Sequence, residues 1–120
     1  MADVDLIFDH IGIPTDEQQP NESWVEATRV WVTKPSDHKY RIEYLRYEPD
    51  TPVSPELSDV PHVAYRVRAE DLSALLEGER ILLGPFAADD NLTVVFILKN
   101  GLVTEYMVFK DPDLWFGKRS

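Results

Sequence analysis

Short apolar runs, cut apart by turn-forming residues, make up most of this chain. DLIFDHIGI (5–13) reads as a first strand. The polar stretch PTDEQQPNES (14–23), with two prolines, reads as loop. WVEATRVWVT (24–33) is β-branched and aromatic and predicts a second strand, KPSDHK a turn, and YRIEYLRYE (40–48) a third strand. PDTPVSPELSDVP (49–61) is proline-rich and predicts an extended linker. HVAYRV (62–67) begins a second half as another strand. In AEDLSALLEGE (69–79), Leu72, Leu75 and Leu76 fall at helical spacing, acids fill the first turn and Gly78 offers a C-cap. RILLGPFAA (80–88), TVVFILKN (93–100) and LVTEYMVF (102–109) follow as strands, the last two joined by an Asn-Gly hairpin signal. DPDLWFGKRS closes the chain as a tail.

The pattern repeats. EYLRY (43–47) is echoed by EYMVF (105–109), and each is followed closely by a Pro-Asp pair. A histidine lies in the strand DHIGI (9–13) and another opens the strand in PHVAYRV (61–67). The order is His10, Glu43, His62, Glu105. Two modules related by a pseudo-twofold axis are therefore expected. The second reads β-α-β-β-β. The first is truncated, lacking the helix and one strand. Module one spans 1–50, the linker 51–61, module two 62–110 and the tail 111–120, in one domain.

Composition narrows the function. The chain has 120 residues, 43% of them hydrophobic, and 22 acidic against 12 basic groups give a formal charge of −10. That balance disfavours nucleic acid and anionic membrane surfaces as partners. With no cysteine, thiolate metal sites and a cysteine nucleophile are excluded. The N-terminus has no signal-peptide pattern, and a cytoplasmic location is expected.

Strand alternation puts Arg41, Leu45 and Tyr47 on the face of Glu43, and Val103, Met107 and Phe109 on that of Glu105. Phe8 and Gly12 flank His10, and Ala64 and Arg66 flank His62. If the modules pair, two imidazoles and two carboxylates line one half-apolar cavity. Such a donor set suits a divalent ion. Each residue also has a structural reading: a hydrogen-bonded core histidine for His10 and His62, and a salt bridge to Arg41, Arg66 or Arg29 for Glu43. His38 reads as a solvated turn residue, and Trp24, Trp31 and Trp115 as packing or interface residues.

Taken together, FDHIGIPT, RIEYLRYEP, PHVAYRV and TEYMVFKDPD resemble, in order, the strand motifs of the vicinal oxygen chelate superfamily. That group includes glyoxalase I, methylmalonyl-CoA epimerase, extradiol dioxygenases and the bleomycin resistance proteins. The resemblance implies an α+β fold of two paired βαβββ-type modules forming a cup-shaped mixed sheet. It implies a divalent metal (Zn, Ni, Co, Mn, Mg or Fe) at His10, Glu43, His62 and Glu105. Glu43 or Glu105 becomes the general base of a glyoxalase-like lyase or isomerase, with Arg41 and Arg66 binding an anionic part of a small-molecule substrate. The dioxygenase branch, with two His and one carboxylate around iron, fits less well because a second Glu fills its open position. The alternatives are a bleomycin-resistance-type protein that sequesters a small molecule without turnover, and a regulatory domain with a vestigial site. A missing first helix would leave Ile42 and Tyr44 uncovered, and a homodimer is expected to bury them.

Overall fold

The computed structural model describes residues 4–119. Strands β1 (Ile7–Pro14), β2 (Ser23–Val25), β3 (Val30–Val32) and β4 (Ile42–Tyr47) form the first module. Strands β5 (His62–Arg66), β6 (Arg80–Ala87), β7 (Leu92–Lys99) and β8 (Leu102–Phe109) form the second. All eight belong to one curled sheet of order β2-β3-β4-β1-β5-β8-β7-β6. Each module pairs its first and last strands in parallel, and β1 and β5 meet antiparallel at the centre. The order within the sheet reads the same from either end, as a pseudo-twofold axis between β1 and β5 requires.

The α+β cup is as the sequence predicts, but module one does not lack a strand. The segment expected as one strand (24–33) is a hairpin, with Trp24 opposite Trp31. It turns at Glu26–Arg29, where Arg29 takes a φ of 50°. The apolar run hid the turn because Ala27, Thr28 and Arg29 carry no glycine or proline signal. The missing helix is as expected: among the described residues, β1 leads to β2 through loop alone. The linker is also more structured than its prolines suggested. Pro55–Ser58 forms one turn of helix, α1, with Pro55 at its first position. Its Leu57, together with Val53, is buried against the inner core.

Two apolar clusters hold the sheet. The inner one fills the cup with Val25, Val30, Val32, Leu45, Val94, Phe96 and Met107 among others. The outer one covers module two. There Leu72, Leu75 and Leu76 of α2 (Leu72–Leu76), entered through a 3₁₀ turn, pack on Val67, Val95, Ile97 and Tyr106. On module one, Ile42 and Tyr44 are half-buried rather than bare, since the 15–23 loop and the 34–38 turn fold toward them. His38 sits in that turn, its Nδ1 accepting the Tyr40 N–H, away from the cup. Asn100 and Gly101 both take positive φ, which makes the tight β7–β8 hairpin that their Asn-Gly pair predicts. No helix of the described residues is long and apolar enough to cross a membrane.

Candidate metal centre

The pseudo-twofold axis brings the four predicted ligands together. His10 stands on β1 and His62 on β5, the two central strands, while Glu43 and Glu105 stand on the flanking β4 and β8. All four are buried. His10 Nε2 lies 3.3 Å from His62 Nε2, 3.3 Å from Glu43 Oε1 and 3.3 Å from Glu105 Oε1. His62 Nε2 lies 3.1 Å from Glu105 Oε1 and 3.9 Å from Glu43 Oε1. Metal–ligand bonds of about 2.1 Å in a tetrahedron set donors about 3.4 Å apart. The spacing of His10, His62 and Glu105, whose donor atoms lie within 4.8 Å of one another, therefore fits an ion, while Glu43 lies beside that group rather than in it. Two imidazole nitrogens that face each other also need a cation or a proton between them.

Gly12 makes room for this. It sits directly opposite His62 in the β1–β5 register. A Cβ at Gly12 would fall 2.5 Å from His62 Nε2 and 2.6 Å from Nδ1. The imidazole lies across the glycine, so the residue is required for its lack of a side chain.

Asp9 is a site residue that alternation missed. A bulge between Phe8 and His10 breaks the register with β5. It sends Phe8 outward against Tyr65 and turns Asp9 in beside His10. Asp9 Oδ2 accepts from His10 Nδ1 at 2.6 Å, which leaves Nε2 free to face the cluster. The signal was present in the Asp-His pair, but strict alternation placed Phe8 next to His10 instead.

Arg41 and Arg66 also serve Asp9. Arg66 Nε donates to Asp9 Oδ1 at 2.7 Å, and Arg41 donates to the same oxygen at 3.4 Å and to the Asp9 carbonyl. Arg41 leaves the face of Glu43 because it takes a φ of 55° just before β4 begins. Neither arginine lines the cavity beside Glu43 and Glu105, so the structure gives them contact with the site through Asp9 rather than with its interior. Arg66 also donates to the Pro112 carbonyl and lies over the Phe109 ring.

The electrostatics are tightly linked. Burial raises the Asp9 carboxyl, but His10 and Arg66 outweigh it and hold the group at about 2. Burial likewise opposes ionisation of Glu105, and hydrogen bonds from His10 and His62 bring it to about 2. Burial disfavours charge on His10, yet Glu43, Asp9 and Glu105 push its pKa well above the ordinary value. Three carboxylates against two guanidiniums leave one formal negative charge, which a protonated His10 or a metal dication offsets. Tyr47 stays a neutral phenol, raised by burial and by Glu43 and Glu105.

Above the cluster is a cavity of about 40 Å³ walled by Val32, Leu45, Tyr47, Val94, Phe96 and Trp115. At roughly 10–15 Å³ per water, it holds one to a few waters. Leu45 and Tyr47 also line an outer pocket of about 570 Å³ that runs along the 49–59 segment. Trp115 comes from the tail, where β9 (Leu114–Trp115) and β10 (Lys118–Arg119) form a small hairpin. Sequence reasoning placed Trp115 in packing; its position in the cavity wall depends on how the tail folds back, which no local pattern encodes.

No protein-family model matches the chain, and neither does any curated protein. Among solved structures, it is similar to a hypothetical protein, BH1468, from Bacillus halodurans C-125. The TM-score is 0.62 at 15% identity, over 92% of this chain and 99% of the other. That likeness establishes a shared curled-sheet half-barrel, a fold compatible with the vicinal oxygen chelate type.

Proposed function

We propose that the chain is a vicinal oxygen chelate protein acting as a glyoxalase-like, metal-dependent lyase or isomerase. The observation that carries this is the buried convergence of His10, His62 and Glu105 at metal-ligand spacing, with Glu43 beside them. His10, His62 and Glu105 would hold the ion. A divalent ion in this place would supply Lewis acidity to substrate oxygens. Glu43, the less tightly engaged carboxylate, moves the proton at the carbon beside them. Asp9 keeps His10 in the tautomer that presents Nε2, and the apolar walls exclude water.

The test is metal content and proton exchange. Protein purified without added metal should carry or take up about one equivalent of zinc, nickel or manganese per chain. Glu105→Gln should weaken that binding. Glu43→Gln should keep most of it and abolish exchange of the α-proton of a 2-hydroxyketone in D₂O. Less than about a tenth of an equivalent, with no uptake on titration, would sink the enzyme reading.

A second reading, sequestration of a small molecule without turnover, is favoured by one feature. Despite the cost of burial, Glu43 and Asp9 stabilise the charged form of His10, so the cluster can neutralise itself. Ligand binding without metal uptake or proton exchange would select it. Pairing of two copies belongs to the proposal as well: Ile11 is 39% and Tyr40 68% exposed beside half-buried Ile42 and Tyr44. Light scattering of the eluting protein at twice the chain mass would support it, and a monomer mass would reject it.

A further inference from the structure

The cup contains a polar group that the ligand cluster does not use. Trp115 is 3% exposed, and its indole Nε1 is a buried donor without a hydrogen-bond partner among the described residues. The other two indoles of the chain are satisfied: Trp24 donates to Glu26 at 2.6 Å and Trp31 to Glu48 at 3.0 Å. An indole nitrogen can only donate, and buried donors are nearly always paired, so an orphan one asks for an acceptor. Trp115 lines the same cavity as Glu43 and Glu105, and its ring stands edge-on to His10 with centres 6.1 Å apart.

The other walls state what kind of molecule fits. Val30, Val32, Leu45, Leu83, Val94 and Phe96 are apolar, and among the described residues no lysine or arginine lines the cavity. The nearby guanidiniums of Arg41 and Arg66 are committed to Asp9. An anionic group on a ligand would therefore meet two glutamates, with no lysine or arginine in the wall to pair with it.

We infer that the indole N–H of Trp115 donates to a neutral oxygen of the molecule taken into the cup, and that this molecule is compact, uncharged and mostly hydrocarbon. The inference rests on the cup being the binding site proposed above; it adds the ligand's chemical class and the residue that selects it. In the closed arrangement the N–H is packed away from solvent and the cavity is small. A ligand that enters past Leu45 and Tyr47, which separate the cavity from the outer pocket, shifts the Trp115 ring and gives the N–H its acceptor.

Three indole cross-peaks in a ¹H–¹⁵N spectrum make this directly readable, with the peak missing from Trp115→Phe assigning Trp115. Metal-free and zinc-loaded protein are each titrated with acetoin, cyclohexanone and phenol, and metal-free protein with lactate as the anionic control. At least one neutral probe should move the Trp115 indole proton downfield and saturably, while Trp24 and Trp31 stay in place and lactate has no effect. Trp115→Phe keeps an aromatic but smaller ring and loses the N–H, so that probe should bind about tenfold more weakly. If none of the neutral probes moves the Trp115 peak, if lactate moves it as readily, or if the variant binds as tightly, the inference is overturned. Should the variant fail to fold, the titration of the native chain decides alone. Calorimetry with zinc on the same samples separates the two readings. No zinc binding with the indole shift intact overturns the metal proposal alone; zinc bound with an unmoved indole overturns this inference alone.

Discussion

Replacing Gly12 with alanine tests whether the site is built on steric room between the two central strands. The new Cβ would sit 2.5 Å from His62 Nε2, about 1 Å inside ordinary van der Waals contact. Two relaxations are open. The imidazole can swing out, but metal–ligand distances tolerate only about 0.2 Å, so His62 ceases to be a ligand. Alternatively β1 and β5 can part, but Gly12 and His62 are paired in a ladder flanked on both sides by further strands. Overpacking of this kind costs roughly 1–3 kcal/mol. Gly12→Ala should therefore lower the stability of the metal-free protein by about that amount and weaken zinc binding by at least about tenfold, as losing a well-placed ligand does. Thermal or urea unfolding reads the first effect and chelator competition the second. A double-mutant cycle isolates the cause. With His62→Ala in place no ring remains to collide, and alanine at position 12 should then cost little. Equal cost in both backgrounds, or undiminished zinc affinity in Gly12→Ala, would refute the steric account.

The remaining predictions concern the charges behind the site. Asp9→Asn removes the anion that orients His10 and pairs with Arg66 and Arg41, so metal affinity should drop roughly 10- to 100-fold with the ligands untouched; an unchanged affinity in chelator competition would refute the orienting role. Acid unfolding of the metal-free protein should follow the depressed carboxyls. Asp9 and Glu105 fall from 3.8 and 4.5 to about 2, so each contributes roughly 2–3 kcal/mol, present above its unfolded value and lost as pH drops toward 2. Both depend on His10, so the two contributions do not add in full. His10 has the opposite sign: its contribution is complete below its unfolded value of about 6.5 and is lost as pH rises through the raised folded value. Urea midpoints measured across pH should therefore fall on the acid side in the native chain and fall less in Glu105→Gln; identical acid limbs would contradict the assignment.

Much of the fold is legible because its symmetry is written in short local signals. The Asn-Gly hairpin, the leucines of α2 and the alternating runs of β7 and β8 each predict their element without help from the rest of the chain. The elements that were missed depend on longer-range packing. The β2–β3 turn has no breaker residue, and the Trp24–Trp31 pair across the hairpin, with ring centres 4.9 Å apart, holds the two strands face to face. The turn of helix at Pro55–Ser58 sits in a stretch whose prolines suggest extension, and burial of Leu57 against the inner core fixes it in place.

The candidate site divides along the same line. His10, Glu43, His62 and Glu105 obey the pseudo-twofold axis: each has a mate at the equivalent position of the other module, so an echo in the sequence is enough to gather them. Asp9, Gly12, Arg41 and Trp115 break the symmetry. Asp9 has Pro61 as its counterpart before the second histidine, and Gly12 has Ala64. Ala64 stands opposite His10 in the same register as Gly12 opposite His62. His10 is thus oriented by a carboxylate and two arginines, one from each module, while His62 is held by the Gly12 gap, the Glu105 oxygen and the Phe96 ring 5.3 Å away. An ion bound here would rest on one stiff imidazole and one compliant one. That difference explains why the steric test at Gly12 acts on His62 and the electrostatic test at Asp9 acts on His10. If both substitutions weakened metal binding but their effects were independent, the two histidines would be held by separate supports, as the geometry requires.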